Sequence, residues 1–413
     1  MDKDKPLRLG YLVPQFPGQT HIFFWREIAA LQARGVSVHL MSTRRPPAGL
    51  ISHDWSDQAI LRTNYLGEFG ALAILKGLLH LRPWHWWRDL SGLASLRDIL
   101  VCLPAAVRLL ALCGAENITH IHVHSCGRAA LIAALVRKMG GPRYSLTLHG
   151  PLSDYGSLQG FKWRHAAFAT VITEKLLAEL RRDLAQDLPA RVVVQPMGVD
   201  TDHLHRDAPY QAPVASGPIR LFSCARLNVV KGHQDLMAAV RLLVDQGLDI
   251  QLDIAGEDDA GGHGFRDELV AILSALNLQN HVRLLGAISS EAVRDHLLEA
   301  HIFVLASWHE PLGVAYMEAM SCGVPTIGTA AGGVAELIRD GVDGILVPSQ
   351  SPSVLATAIK ALVKNPERAT ALSIAGRERI LDRFHSEIGA QCLMAEINAI
   401  GQADGTINKD RQG

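Results

Sequence analysis

From Leu7 onward the chain alternates short β-type apolar runs with longer segments of helical period, and it does so twice. In the first half the runs are Leu7 to Val13, Val36 to Met41, Ile118 to Val123, Tyr144 to Leu148 and Val192 to Gln195, each closed by Gly, Pro or polar residues. That alternation belongs to an α/β fold with a parallel sheet. Met197 to Pro218 interrupts it, being polar, carrying three prolines and ending in Ser216-Gly217-Pro218. The pattern then restarts with strand Ile219 to Ser223, helix Gln234 to Gln246, strand Ile250 to Ala255, helix Phe265 to Leu276, strand Val282 to Leu285, helix Glu291 to Ala300 and strand Ile302 to Leu305. The expected architecture is two Rossmann-like doubly wound units, residues 1–198 and 219–385, joined by a linker at 199–218 and followed by a C-terminal helix and tail at 386–413. Ligands of such sheets bind beyond the C-terminal ends of the strands, so the chemistry is expected in a cleft between the two units.

Composition narrows the function. Lys plus Arg total 40 against 41 Asp plus Glu, a net charge of -1 that leaves no field to gather nucleic acid. The six cysteines contain no C-x-x-C pair, so neither a zinc site nor a disulfide framework is indicated, and a reducing compartment fits. The charged N-terminus reads as no export signal. The longest apolar stretches, Ala71 to Leu81 with Lys76 and His80 inside it and Ile99 to Val107 ended by Arg108, fall below the ~18 residues that span a bilayer. The expectation is a cytoplasmic protein. Leu79 to Trp87 sets Trp84, Trp86 and Trp87 among His80, Arg82, His85 and Arg88, which suits either a core cluster or a membrane interface. On the second reading Ala71 to Trp87 makes a peripheral contact with the anionic inner face of the plasma membrane.

The densest chemistry follows the run Ile302 to Leu305, in Ser307-Trp308-His309-Glu310-Pro311-Leu312-Gly313-Val314-Ala315-Tyr316-Met317-Glu318-Ala319-Met320. A strand, a Pro- and Gly-bearing loop and a helix start offer unpaired amides and a positive dipole end, and Gly313 lets an anion approach the backbone. Glu310 and Glu318 flank that start, separated by at most roughly 12 Å at a helical rise. Carboxylates repel a phosphate, so beside one they make sense when each binds hydroxyls, as a ribose and a sugar would supply. Arg226 and Lys231, in Ala225-Arg226-Leu227-Asn228-Val229-Val230-Lys231-Gly232, supply the cations that hold a diphosphate and stabilise it as it leaves, a task otherwise given to a metal. No metal is expected.

On these residues the second half resembles the retaining glycosyltransferases of family 4, whose GT-B architecture sets two Rossmann-like domains across a cleft. The family's two glutamates fall on Glu310 and Glu318, its Arg and Lys on Arg226 and Lys231, and its small-residue tail on Cys322-Gly323-Val324-Pro325 and Gly332-Gly333-Val334-Ala335-Glu336. The resemblance implies that Glu318 binds ribose, that the Gly313 and Val314 amides meet the diphosphate, that Glu310 contacts the donor sugar and that the backbone near Ile288 meets the base. In the first half Phe16-Pro17-Gly18-Gln19-Thr20, Phe23-Phe24-Trp25-Arg26-Glu27, His122-Val123-His124 and Ser145-Leu146-Thr147-Leu148-His149-Gly150 resemble the branch that builds bacterial exopolysaccharides such as colanic acid. It implies that His149 stands beside the donor sugar and that Gly18 joins the donor site. Ala306 stands where a proline is usual, and Ala225 where a glycine is common.

The implied activity is metal-independent hexosyl transfer, with retention, from a nucleotide diphosphate sugar, a UDP sugar foremost, to a glycan or polyprenyl-linked oligosaccharide acceptor, with no cofactor. A nucleotide-sugar hydrolase or epimerase of the same fold, and a non-catalytic nucleotide-sugar-binding protein, are the alternatives. His122 and His124 alternate along a strand and read as packing residues. Asp200-Thr201-Asp202 reads as turn chemistry despite its D-x-D form.

Overall fold

The computed structural model describes residues 7–18, 21–46, 53–67, 77, 79, 92–214, 217–258 and 263–410, with 403–410 as backbone only. Apart from Gly77 and Leu79, the Ala71 to Trp87 segment lies outside the described residues.

Two parallel sheets form the frame. The first comprises β1 Arg8–Gln15, β2 Ser37–Arg44, β3 Asn64–Tyr65, β4 His120–Val123, β5 Arg143–Leu148, β6 Ala169–Val171 and β7 Val192–Val194, in the order β3-β2-β1-β4-β5-β6-β7. The second comprises β8 Ile219–Cys224, β9 Ile250–Ala255, β10 Val282–Gly286, β11 Ile302–Val304, β12 Thr326–Thr329 and β13 Ile345–Val347, in the order β10-β9-β8-β11-β12-β13. Each order runs outward from a first strand and then reverses, the doubly wound topology. The reversal falls between β1 and β4 in one sheet and between β8 and β11 in the other, and there the loops leaving neighbouring strands diverge and leave a crevice. Those four loops carry Gly18, His124, Arg226 with Lys231, and Glu310. The architecture is that of two Rossmann-like domains flanking a cleft.

The strands are buried by helices on both faces. Tyr11, Ile121, Val123, Leu146 and Leu148 are almost wholly enclosed in the first sheet, as are Leu221, Ile254, Val304 and Ile327 in the second. The chain crosses between the halves twice, and the crossings run side by side: Val199 donates its amide to Phe384 at 2.8 Å and Ser386 donates to Val199 at 2.9 Å. A Cβ on Gly198 would lie 2.5 Å from the carbonyl carbon of His385, so the approach requires glycine. The last helix, Ser386–Asp410, thereby returns to the first half and packs on helix Ile22–Ala33, where Arg34 meets Glu387 at 2.7 Å.

One expectation is corrected. Leu93–Ala115 is a single helix of 23 residues, long and apolar enough to cross a membrane by length and composition. In this fold Ile99, Cys102, Leu103, Ala106, Leu109 and Cys113 on that helix are buried, and it packs against helix Arg128–Lys138. The inward face of the helix thus serves the interior of the first domain, while Leu93 and Val101 stay exposed.

Candidate functional site

The loop after β8 is built to project two cations. Asn228 accepts the amide of Val230 at 3.1 Å and winds the short turn Val229–Lys231, which ends at Gly232 with φ +69°. A Cβ on Gly232 would sit 1.9 Å from the Ala306 carbonyl oxygen, so only glycine lets this loop press on the loop after β11. Lys231 is thereby brought to Glu310, its Nζ donating to Oε2 at 2.5 Å. Glu310 is 8% exposed, and its backbone carbonyl accepts the amide of Gly333 at 2.9 Å. The Trp308 indole donates to Asp235 at 2.5 Å.

Gly313, at φ +97°, ends this loop and opens helix Val314–Ser321 without any side-chain cap, which leaves the first amides to a ligand. One to two turns in, Glu318 receives a hydrogen bond from Arg26 Nη1 at 2.9 Å, reaching across from the first half. Arg226, Ile288, Val314 and Glu318 line one cleft, which Ile22 and His53 close from the opposite side. The second domain therefore gathers Arg226, Ile288, Val314 and Glu318 around one space, with the Lys231–Glu310 pair beside it.

The facing wall comes from the first sheet. His149 follows β5, and a Cβ on Gly150 would stand 4.0 Å from Pro311 Cγ, so the end of β5 confronts the loop that bears Glu310. His149 Nε2 lies 3.1 Å from Nδ1 of His124; His124 Nε2 stands 2.8 Å from Oε2 of Glu27 without a hydrogen bond between them, and Glu27 Oε2 accepts the Tyr11 hydroxyl at 2.6 Å. Burial pushes the His149 imidazole down to about 3, aided by His124 and opposed by Glu27, so it is neutral at physiological pH. Gly18 supports the site indirectly: it accepts the His21 amide at 3.0 Å, and a Cβ there would fall 2.7 Å from the His21 ring. His21 is itself held down to about 4 by burial and by the charge of Arg226.

Glu27, His122 and His124 offer ligand atoms within 4.8 Å of one another, the spacing of a metal site. Both nitrogens of His122 are already engaged, Nδ1 with Ser145 at 2.8 Å and Nε2 with Thr147 at 3.0 Å, so a cation there would have to displace a hydrogen bond. Asp200 accepts the amides of Asp202 and His203 at 3.1 and 3.0 Å, a local turn.

Sequence reading missed Arg26, Glu27, His21 and His124 as members of this site. A signal existed for the first two: Arg26 and Glu27 interrupt the apolar run Ile22 to Leu31 with adjacent charges, and both are buried.

Two facing doubly wound domains with an uncapped helix start and paired Arg/Lys and carboxylate groups at the switch point define a GT-B protein. Residues 208–379 match the model of glycosyl transferases group 1. The D-inositol 3-phosphate glycosyltransferase of Geodermatophilus obscurus is 29% identical over 222 residues, which cover 52% of this chain and about half, 48%, of that protein. The GDP-mannose-dependent alpha-(1-6)-phosphatidylinositol monomannoside mannosyltransferase of Mycolicibacterium smegmatis is 28% identical over 295 residues, 68% of this chain and 76% of that one. In three dimensions the Anabaena protein HepE, solved with UDP and glucose, superposes with a TM-score of 0.74 at 16% identity, over 95% of this chain and all (100%) of that one. The chain thus has the GT-B fold and is broadly similar to bacterial sugar transferases.

Proposed function

We propose that this chain is a retaining glycosyltransferase that moves a hexosyl group from a nucleotide diphosphate sugar, a UDP sugar foremost, to a hydroxyl of a lipid-linked glycan in exopolysaccharide synthesis, without a metal. The observation that carries the reading is the convergence of Arg226, the Lys231–Glu310 pair, the open helix start at Gly313–Val314 and Glu318 at the switch point, opposite His149. Arg226, Lys231 and the helix amides neutralise the diphosphate as it leaves, Glu318 takes the ribose, Glu310 and His149 address the sugar, and the base lies against Ile288. The first domain, with the N-terminal motifs of the exopolysaccharide branch, receives the acceptor. HepE's UDP and glucose support the donor class. The proposed location is cytoplasmic, at the inner face of the plasma membrane.

Incubation with UDP-glucose, UDP-galactose, UDP-N-acetylglucosamine and GDP-mannose, with and without polyprenyl-linked oligosaccharides, tests the reading. The expected result is acceptor-dependent release of UDP, unchanged by excess chelator, with an α-linked product by proton NMR. Nucleotide release without any acceptor would indicate a hydrolase, and binding with no release in any arm a non-catalytic protein.

A further inference from the structure

The last residue of Gly332-Gly333-Val334-Ala335-Glu336 reaches into the other domain. Glu336 lies in the short helix Val334–Leu337, and its two carboxylate oxygens accept the backbone amides of Glu174 and Lys175 at 2.7 and 2.9 Å. Those amides open helix Glu174–Leu184 of the first domain, whose next amide, that of Leu176, goes to the Thr173 hydroxyl at 3.2 Å. A helix start leaves its first amides unpaired and carries the positive end of the dipole, so a carboxylate answers both needs. Such caps ordinarily come from the residue just before the helix. Here two of the three come from a residue 162 and 161 positions away.

From Glu336 the hydrogen bonds continue to Glu310. The Glu336 amide donates to the Gly333 carbonyl at 3.0 Å, and the Gly333 amide donates to the Glu310 carbonyl at 2.9 Å. Packing follows the same path: a Cβ on Gly333 would lie 2.6 Å from Thr173 Cγ2 and 2.1 Å from the Pro311 carbonyl oxygen, so the cap of the first-domain helix and the loop that bears Glu310 both bear on Gly333. Arg379 holds the short helix by donating to the Glu336 and Leu337 carbonyls at 2.9 and 3.2 Å. Glu174, Leu312, Glu336 and Arg379 line one crevice, and among the described residues none of its lining belongs to the cleft of Arg226, Ile288, Val314 and Glu318.

We propose that Glu336 is a positioning residue that couples the start of helix Glu174–Leu184 in the first domain to the backbone of Glu310 in the second, so that the Glu310 loop is held in register with the facing wall while this contact is made. The grip on the nucleotide does not depend on it, because Arg226, Ile288, Val314 and Glu318 all belong to the second domain. The effect on turnover rests on the proposed transferase function. The coupling of the two backbones does not.

Two variants break the contact from opposite ends. Glu336→Ala removes the acceptor. Glu174→Pro removes one donor and keeps the helix, since proline suits a first helical position, and Thr173 before it, extended at φ -147° and ψ 154°, tolerates a following proline. Exchange of the Gly333 amide hydrogen should quicken about tenfold or more in both variants, although Glu174 lies in the other domain. At saturating donor kcat should fall about tenfold in Glu336→Ala, with UDP affinity unchanged, as a small misplacement near the reacting groups produces. Glu336→Ala and the double variant should turn over alike, because Glu174→Pro then has no contact left to break. Gly333 exchange unaltered by Glu174→Pro, a Glu336→Ala protein that loses UDP affinity and keeps kcat, or effects on kcat that multiply in the double variant would each overturn the proposal. A wild-type protein that transfers no sugar would instead defeat the transferase reading, and Gly333 exchange would still decide the coupling.

Discussion

Arg26 Nη1 donates to Glu318 Oε1 at 2.9 Å, and the pair joins residues 292 positions apart across the cleft. Their side chains are only 7% and 12% exposed, so salt screens them weakly. The carboxylate that Arg26 holds is the one proposed to bind ribose, so a nucleotide and Arg26 compete for it. Arg26→Met removes the competitor while keeping the stem. UDP should then bind about tenfold more tightly, equivalent to roughly 1.4 kcal/mol, by calorimetry. Unchanged or weaker binding would show that Arg26 assists the nucleotide.

The two glutamates should fail differently. Glu318→Ala removes contacts to ribose that are the same in the ground and transition states, so it should chiefly raise the donor KM. Glu310→Ala also frees Lys231, its partner at 2.5 Å, beside the sugar where charge develops. It should lower kcat by about 10²-fold, the scale of losing one electrostatic stabiliser. If Glu310→Ala altered KM alone, its catalytic role would be withdrawn.

How far the sequence revealed this molecule depended on how local each signal was. Glu310, Gly313 and Glu318 lie within one strand-loop-helix unit, so their spacing alone placed them together. Arg26 and Glu318 meet only because the last helix and the paired crossings at Val199 and Phe384 hold the two halves as one body, which no local pattern encodes. Strands β6, β12 and β13 are missing from the sequence reading, although β7 and β11 are as short and stand out as apolar runs. Helix Leu93–Ala115 read as a shorter apolar run because Arg97 and Arg108 interrupt it. Both are exposed on its outer side, eleven residues or about three turns apart, while Ile99 and Leu103 face inward.

Buried neutral histidines predict an acid-sensitive fold. Burial lowers His120, His124 and His149 to about 3 and His233 to about 4. The unfolded chain takes up protons at these side chains near pH 6.5 while the folded one does not. Their contribution is therefore complete above pH 6.5 and is lost as pH falls toward 4 and 3, at up to about 1.4 kcal/mol per pH unit for each group. Glu27, raised by burial, acts in the opposite direction but is one group against four. The melting temperature should be level from pH 8 to 7 and fall steeply between 6.5 and 5. A level curve down to pH 5 would refute this.

Gly332 provides the sharpest test of how the catalytic loop is held. Its φ is +72°, which L side chains rarely adopt, and a Cβ there would lie 2.0 Å from the Glu310 carbonyl oxygen. The neighbouring Gly333 amide donates to that same oxygen at 2.9 Å, so the two glycines form the seat against which Glu310 is placed. Gly332→Ala adds a left-handed backbone penalty of roughly 1–2 kcal/mol and forces the Glu310 backbone outward. Because Lys231 is bound to Glu310 and Gly313 lies three residues on, the displacement reaches the sugar and diphosphate groups together. Melting temperature should fall by several degrees, and kcat at saturating donor should fall further than the loss of folded protein explains, by tenfold or more. Gly341→Ala is the control, since its φ is +73° but the nearest atom to its Cβ is the Arg368 guanidinium at 4.0 Å. It should lose only the left-handed backbone penalty and keep its turnover. Equal kcat in the two variants would mean that the seat at Gly332 supports the fold alone and leaves the position of Glu310 unaffected.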